Sequence, residues 1–230
     1  MMKRKFSKRF KKLIDLPKEK NPVNIEAAIS KVKKNCTSKF DESIDISLFL
    51  NLKKKKEEFN LRTIVNLPHG NGKKIKVGVL CEESKVAEAK DSGADVFGSE
   101  NLVNDITAGK IKFDKLIATP AMMSKMGKLG KILGPKGLMP NPKLGTVTNN
   151  IKTAVKALKS GQIEIKNDPD GNVGVSIGKK SFPDNKIKDN FDILIQSIAK
   201  EKPTGIKGDF IQSAFITSTM GVSYKLKLEK

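Results

Sequence analysis

In the stretch SIDISLFLNL, residues 43–52, apolar side chains recur at every second position: Ile44, Ile46, Leu48 and Leu50. This is the period at which a strand shows one face to a core and the other to solvent. A second strand is expected in LRTIVNLP (61–68), stopped by Pro68, and a helix ahead of both in NPVNIEAAISKVKKN (21–35). Beyond Pro68 the pattern changes. Three short apolar runs, KIKVGVLC (74–81), ADVFG (94–98) and DKLIATP (114–120), are separated by the helical stretches EESKVAEAKDSG and ENLVNDITAGK. Strand and helix alternating with short connectors predict a parallel sheet. The helix NNIKTAVKALKSG (149–161) closes that block at Gly161, and the period-two pattern then returns. QIEIKND and NVGVSIG flank DPDG, a turn sequence expected to join antiparallel strands. A long helix is predicted from about Pro183 to Lys200, with Phe191, Leu194, Ile195 and Ile198 on its core face. The final stretch, GDFIQSAFITSTMGVSYKLKLE, reads as a strand pair broken at Met220 and Gly221.

Antiparallel material thus lies at both ends of the chain and βα material in the middle. The economical assembly is an α/β protein of two domains. One is a split αβ domain built from both termini (1–67 plus 161–230); the other is an inserted domain with a parallel sheet (68–160). The two crossings, LPHGNGK and KSGQ, would form a paired hinge at Pro68, His69, Gly70, Ser160 and Gly161.

Charge changes the picture most. The 230 residues carry 45 basic and 25 acidic side chains, a net charge of +20, which points to a polyanion as partner. Only Arg4, Arg9 and Arg62 are arginines; lysine suits phosphate but reads bases poorly. A membrane partner fits less well, because no apolar run approaches the roughly 20 residues of a span. The opening MMKRKFSKRFKKLIDL lacks the apolar core of a secretory signal. It is expected to form a basic amphipathic helix whose Phe6, Phe10, Leu13 and Ile14 pack on the protein's own core. Cys36 and Cys81 stand alone, without metal-ligand spacing, as in a reduced cytoplasmic protein.

Motifs that resemble active sites do not hold together. GVSIG (174–178) matches a nucleophile elbow around Ser176, but the one histidine, His69, lies far upstream and the stretch reads as a strand. DPDGN resembles the start of a calcium loop, yet Lys166 and Ile177 occupy ligand positions. No Gly-Lys pair is followed by Ser or Thr, so there is no Walker A loop to support the rival reading of a nucleotide enzyme. His69, between Pro68 and Gly70, is expected to be a polar turn residue. No catalytic constellation, metal site or cofactor is expected. A general single-strand binder is also a poor fit, since 12 aromatics and no tryptophan make a weak stacking platform.

Two surfaces remain. From residue 115 to 163 there are nine lysines and no acid, where the chain's average would supply about five acids. Within that run GKILGPKGLMPNPK (130–143) reads as an exposed basic loop in which Lys131, Lys136, Lys143 and neighbouring Lys128 surround backbone amides. Polyanion contact explains this better than a merely solvated face. The other surface combines TSKFDES (37–43), with Phe40 just before a strand, and TSTMG (217–221), with small hydroxyls beside a turn glycine. Hydroxyls, amides and an aromatic ring are the groups that meet ribose and a base face in structured RNA.

Four stretches, LPHGNGKKIKV, ATPAMMSKMGKLGKILGPKGLMPNPKLGTV, KSGQIEIKND and TSTMG, occur in order over nearly the whole chain. They closely resemble the bacterial large-subunit ribosomal protein one family. The resemblance implies a split terminal domain and an inserted Rossmann-like domain, and no enzymatic activity. It implies binding to large-subunit ribosomal RNA at a mobile stalk beside the exit site, release of exit-site tRNA, and repression of the protein's own operon mRNA. By matching motif positions, the rRNA surface would include Lys39, Phe40, Glu42, Lys166, Asp168, Ser213, Thr217, Thr219, Met220 and Gly221. Thr219 would bond to ribose or base, and Glu42 and Asp168 would accept from RNA or orient Lys39 and Lys166. Lys128, Lys131, Lys136 and Lys143 would meet tRNA or rRNA backbone. Relatives usually read Asp-Pro-Arg-Lys followed by Asn-Val-Arg-Gly-Thr where this chain has NLKKKKEEFNLRTIV, so an arginine contact falls to Lys54 or Lys55. A histidine that some relatives carry near Gly174 is missing as well.

Overall fold

The computed structural model describes residues 7–14, 21–52, 61–203 and 208–228. In chain order its first elements are α1 (Lys8–Ile14), α2 (Ile25–Asn35), β1 (Ser43–Leu50), β2 (Arg62–Asn66), β3 (Val77–Leu80), α3 (Val86–Asp91), β4 (Val96–Gly98), α4 (Glu100–Thr107) and β5 (Lys115–Ala118). There follow α5 (Met123–Met126), α6 (Gly130–Leu133), α7 (Ile151–Lys159), β6 (Gln162–Lys166), β7 (Asn172–Lys179), α8 (Asp184–Lys200), β8 (Ile211–Ser218) and β9 (Tyr224–Leu226). They gather into two compact units, Met1–Gly72 with Glu164–Lys230, and Lys73–Ile163.

In the terminal unit an antiparallel sheet runs in the order β7-β1-β8-β9. The alternation read in 43–52 decides its two faces. Ile44, Ile46, Leu48 and Leu50 are buried together with Val173, Val175, Ile177, Ala214 and Ile216, and α2 and α8 pack on that side. The helices bury Ile29 and Val32, and Ile187, Phe191, Leu194 and Ile198. Each such side chain contributes about 1.5–3 kcal/mol by leaving water. Lys33 of α2 binds both the Phe182 carbonyl and the Asp184 carboxylate at the start of α8. In α1, Leu13 is buried and Phe10 half-buried; Phe6 lies outside the described residues.

The DPDG turn forms, with the Asp168 N–H on the Asn172 carbonyl and that of Gly171 on the Asp168 carbonyl. The strands it joins do not stay paired, contrary to expectation. They share one bridge, Asn167 with Val173; β6 then pairs β2, and β7 pairs β1. Asn167 accounts for the divergence. Its buried amide oxygen accepts the Leu61 N–H at 2.5 Å and its own N–H reaches the Leu61 carbonyl, so β6 is drawn to β2.

The central unit has the parallel sheet β4-β3-β5. All four residues of β3 are buried, since helices cover both faces. One face meets Leu102, Ile106, Met122, Met126, Leu129 and Leu133; the other meets Ala89 of α3 and Ile151, Val155 and Leu158 of α7. Here GKILGPKGLMPNPK departs from expectation. It is not a loop throughout: its first four residues are α6, the end of a broken helical run that starts at Pro120. Met122, Met126, Leu129 and Leu133 recur at helical spacing and fill the core, a stripe that the surrounding glycines disguised.

The first crossing also differs in kind from a free hinge. Asn190 of α8, wholly buried, accepts the His69 N–H and donates to the carbonyls of Gly70 (2.9 Å) and Ile177 (2.7 Å). The His69 ring Nε2 lies 3.0 Å from Asp189 Oδ2, as suits a polar turn residue. Gly72 has φ +74°, and a Cβ there would meet Lys179 Cγ at 2.6 Å. Residues 68–72 are therefore fastened to the terminal unit. At the second crossing, Ser160 ends α7 with its N–H on the Lys156 carbonyl, and Gly161 follows at φ 109°.

Candidate nucleic-acid interface

At the entry to β1 the chain passes through Thr37–Ser38–Lys39–Phe40–Asp41–Glu42, and β8 ends beside it in the turn of Thr219, Met220 and Gly221. Glu42 joins the two segments. Its carboxylate, wholly out of solvent, accepts the Ser38 N–H and the Met220 N–H, both at 3.1 Å, while the Glu42 carbonyl takes the Lys180 N–H. Burial by itself would raise the pKa of this acid. The donors around it, Ser218 and the amides of Met220 and Ser38, outweigh burial and hold it below the ordinary carboxylate value. Glu42 thus lies under the surface as a clasp that reaches Met220, 178 positions away in the chain. Its carboxylate bonds are to backbone amides, neither to Lys39 nor to Lys166.

Thr219 is similarly engaged. Its hydroxyl accepts the Ser43 N–H at 3.0 Å and donates to the Ser43 carbonyl at 3.3 Å, which pins the turn to β1. A Cβ at Gly221 would stand 2.3 Å from Ser218 Oγ, so a side chain there would have to turn that buried hydroxyl aside. Asp41 and Lys180 support the loop from behind: Asp41 accepts from Ser181 N–H and Oγ, and Lys180 donates to the Cys36 carbonyl. Above this frame stand Lys39, Phe40 at 53% exposure and Met220 at 45%.

The other nominated residues lie along the sheet or beyond its far end. The open face carries Asp45, Ser47 and Phe49 of β1, and Ser213, Phe215 and Thr217 of β8. Thr217 stands opposite Asp45, Phe215 opposite Ser47, and Ser213 opposite Phe49. Exposed Lys166 and Asp168 sit near the β6–β7 turn, whose Gly171 carbonyl takes the Leu50 N–H. Seven residue steps of β1, about 23 Å, separate that end from the clasp. The structure thus gathers Lys39, Phe40, Glu42, Thr217, Thr219, Met220 and Gly221 at one end, and Lys166, Asp168 and Ser213 toward the other. Lys54, like Lys55, falls outside the described residues.

Arg9, Asp41, Lys180, Phe49 and Phe215 belong to this surface but were not nominated. Phe49 and Phe215 could have been found from the strand period, since they alternate with the core positions. Nothing local in the sequence points to Arg9, whose partners lie 28 and 211 residues away.

In the central unit Lys128, Lys131, Lys136 and Lys143 are all exposed, and Met139 between them is 40% exposed. The turn after α6 is built tightly: Asn141 Oδ1 takes the Lys143 N–H, and Thr146 bonds to both backbone groups of Asn141. Among the described residues four large apolar side chains are exposed, Phe40, Phe97, Met139 and Met220, and three of them lie on the two nominated surfaces. Cys36 and Cys81 are buried, and burial raises both thiols, so neither serves as a thiolate nucleophile. Among the described residues no acid, histidine and cysteine cluster could hold a metal, and no helix is long and apolar enough to cross a membrane.

Residues 32–222 match the model of the Ribosomal protein L1p/L10e family. A protein of Pelagibacter ubique named large ribosomal subunit protein uL1 is 58% identical over 225 residues, 97% of this chain and 98% of that one. Proteins of the same name from Rickettsia bellii (45% over 205 residues, 89% of this chain and 86% of the relative) and Prochlorococcus marinus (44% over 225 residues, 98% and 95%) are also similar. With its pattern running from the end of α2 through the Thr219–Gly221 turn, the chain belongs to the Ribosomal protein L1p/L10e family.

Proposed function

We propose that this protein is a constituent of the large ribosomal subunit in the cytoplasm, and that its terminal unit binds large-subunit rRNA at a mobile stalk. As a member of a structural family it is not an enzyme. The observation that carries the RNA reading is the clasp at Glu42. A buried carboxylate holds the 37–42 loop and the 219–221 turn together and leaves Phe40, Met220 and Lys39 facing outward. An aromatic ring and a thioether held outward beside a lysine offer a base a stacking face and its phosphate a charge. The rings and hydroxyls of the open sheet face continue the same surface, with Lys166 and Asp168 at its far limit.

The domain reading is that the terminal unit is the RNA-binding domain and the central unit the inserted one, with bounds at 72/73 and 163/164 rather than at 67/68 and 160/161. Because residues 68–72 are fastened by Asn190, motion at the first crossing falls between Gly72 and Lys76, whose N–H already binds Asp114 in the central unit. The second bend is at Ser160 and Gly161. The inserted domain, free to swing, would bring Lys128, Lys131, Lys136 and Lys143 to exit-site tRNA or rRNA backbone. A similar fold in the leader of its own operon mRNA would compete for the same end, which makes the protein a repressor of its own synthesis.

The test is binding to the stalk rRNA fragment against a scrambled hairpin of equal length, across a salt series. Met220→Ala and Phe40→Ala are the surface variants. Thr219→Ser controls for the turn, since Thr219→Val would also release Ser43. We expect a preference for the rRNA fragment of at least a hundredfold that persists at high salt and falls about tenfold in each alanine variant. Equal affinities that drop together with salt would mean phosphate attraction alone and would refute the reading.

A further inference from the structure

Arginine is rare here: Arg4, Arg9 and Arg62 against 45 basic residues in all. Arg9, half-exposed on α1, uses one nitrogen as a bridge. Its Nη1 donates to Thr37 Oγ1 and to the Met220 carbonyl, each at 3.2 Å. These acceptors come from the same two segments that Glu42 ties together from below, so the amino-terminal helix fastens them from above. A guanidinium has five N–H donors, and this bridge engages the two on Nη1. The three on Nε and Nη2 have no partner among the described residues, and no described carboxylate neutralises the group.

Nε–H and one Nη2–H point in parallel along one edge of the fork, the spacing that receives two oxygens of a phosphate. A lysine could not do both jobs. Its three N–H groups share one atom, so bonding to Thr37 and Met220 would leave a single donor.

We propose that Arg9 is a phosphate-binding residue of this surface. Held through Nη1 on Thr37 and Met220, its Nε–Nη2 edge takes a backbone phosphate of the RNA nucleotide that adjoins Phe40 and Met220. This rests on the reading of that end as the RNA-binding surface. The helix α1 is then part of the interface, with Lys8, Lys11 and Lys12 also exposed on it.

The experiment compares full-length wild type, Arg9→Lys and Arg9→Ala on the stalk rRNA fragment and the scrambled hairpin across a salt series, with thermal melts of each protein. Arg9→Ala should weaken rRNA binding roughly tenfold to a hundredfold, as loss of charge-assisted bonds does. It should also reduce the slope of log K against log salt by about one ion. Arg9→Lys keeps the charge, so the slope stays while affinity falls about threefold to tenfold. With three arginines in the chain, the Arg9 Nε–Hε signal is also resolvable by NMR, and it should shift on addition of the rRNA fragment. Loss of affinity in Arg9→Ala with an unchanged slope would reduce Arg9 to a clasp and overturn the proposal, as would unchanged affinity. If wild type binds both RNAs alike, it is the RNA-surface reading that fails, and the Arg9 assignment falls with it.

Discussion

The two basic surfaces of this protein are built in opposite ways. At the clasp of the terminal unit the polar groups bind one another across distant parts of the chain: Glu42 with two amides, Thr219 with Ser43, Arg9 through Nη1 with Thr37 and Met220. What remains for a partner is a fixed shape: the exposed side chains of Phe40 and Met220, Lys39, and the Nε–Nη2 edge of Arg9. In the central unit, Lys128, Lys131, Lys136 and Lys143 stand in solvent on a helical stub and a tight turn. They offer charge with little fixed geometry. The first design suits recognition of one RNA structure, the second attraction to any phosphate backbone that swings within reach.

The comparison breaks first if the lysine run is not anchored. Leu133, fully buried in the cluster with Met126 and Leu129, should cost about 3 kcal/mol when changed to alanine, as large-to-small core substitutions do. A urea titration of Leu133→Ala that matched wild type would mean the segment is a loop after all.

The clasp gives the next largest effect. Glu42→Gln sets an amide N–H₂ against the Ser38 or Met220 N–H, and about 2 kcal/mol of stability should be lost at pH 7. The folded-state pKa of Glu42 is depressed, so its stabilisation is present above the unfolded value near 4.5 and is lost as pH falls through the lower folded value. The gap between wild type and variant should therefore be constant above about pH 5 and close as the pH is lowered below 4.5. Denaturant midpoints at stepped pH would show it. A gap that persists undiminished at pH 3 would remove the charged clasp from the account.

The smallest effect on folding is expected at the lysines. Replacing Lys131, Lys136 and Lys143 with alanine should shift the melting temperature by little and leave isolated rRNA binding nearly intact, while slowing release of deacylated tRNA from the exit site. Unchanged release would remove the tRNA role from this surface.

Much of the architecture was legible beforehand, because hydrophobic period is a local signal. The strand at 43–50, the helix at 184–200 and the βα alternation from 74 to 120 all appear as the spacing of apolar residues required. Two elements misled for physical reasons. The helical stripe Met122, Met126, Leu129, Leu133 lay among glycines and prolines whose turn preference dominated the reading. The strands around DPDG have hairpin spacing, yet a buried amide at Asn167 sends one of them to another partner.

By itself, then, the sequence determined the class of elements, their order, the excess of positive charge and the two stretches that carry it. These follow from residue type and short-range spacing, which each segment holds wherever it is folded. Only the tertiary structure decided that Glu42 is a clasp, that Arg9 bridges the two segments above it, that Asn190 fastens the first crossing and that Phe40 and Met220 are both left exposed at the clasp. Each of these depends on a hydrogen bond or exposure set by residues more than a hundred positions away or by the packing of a whole unit. No local pattern encodes that, since a buried carboxylate and a solvated one are the same letter until the chain closes around it.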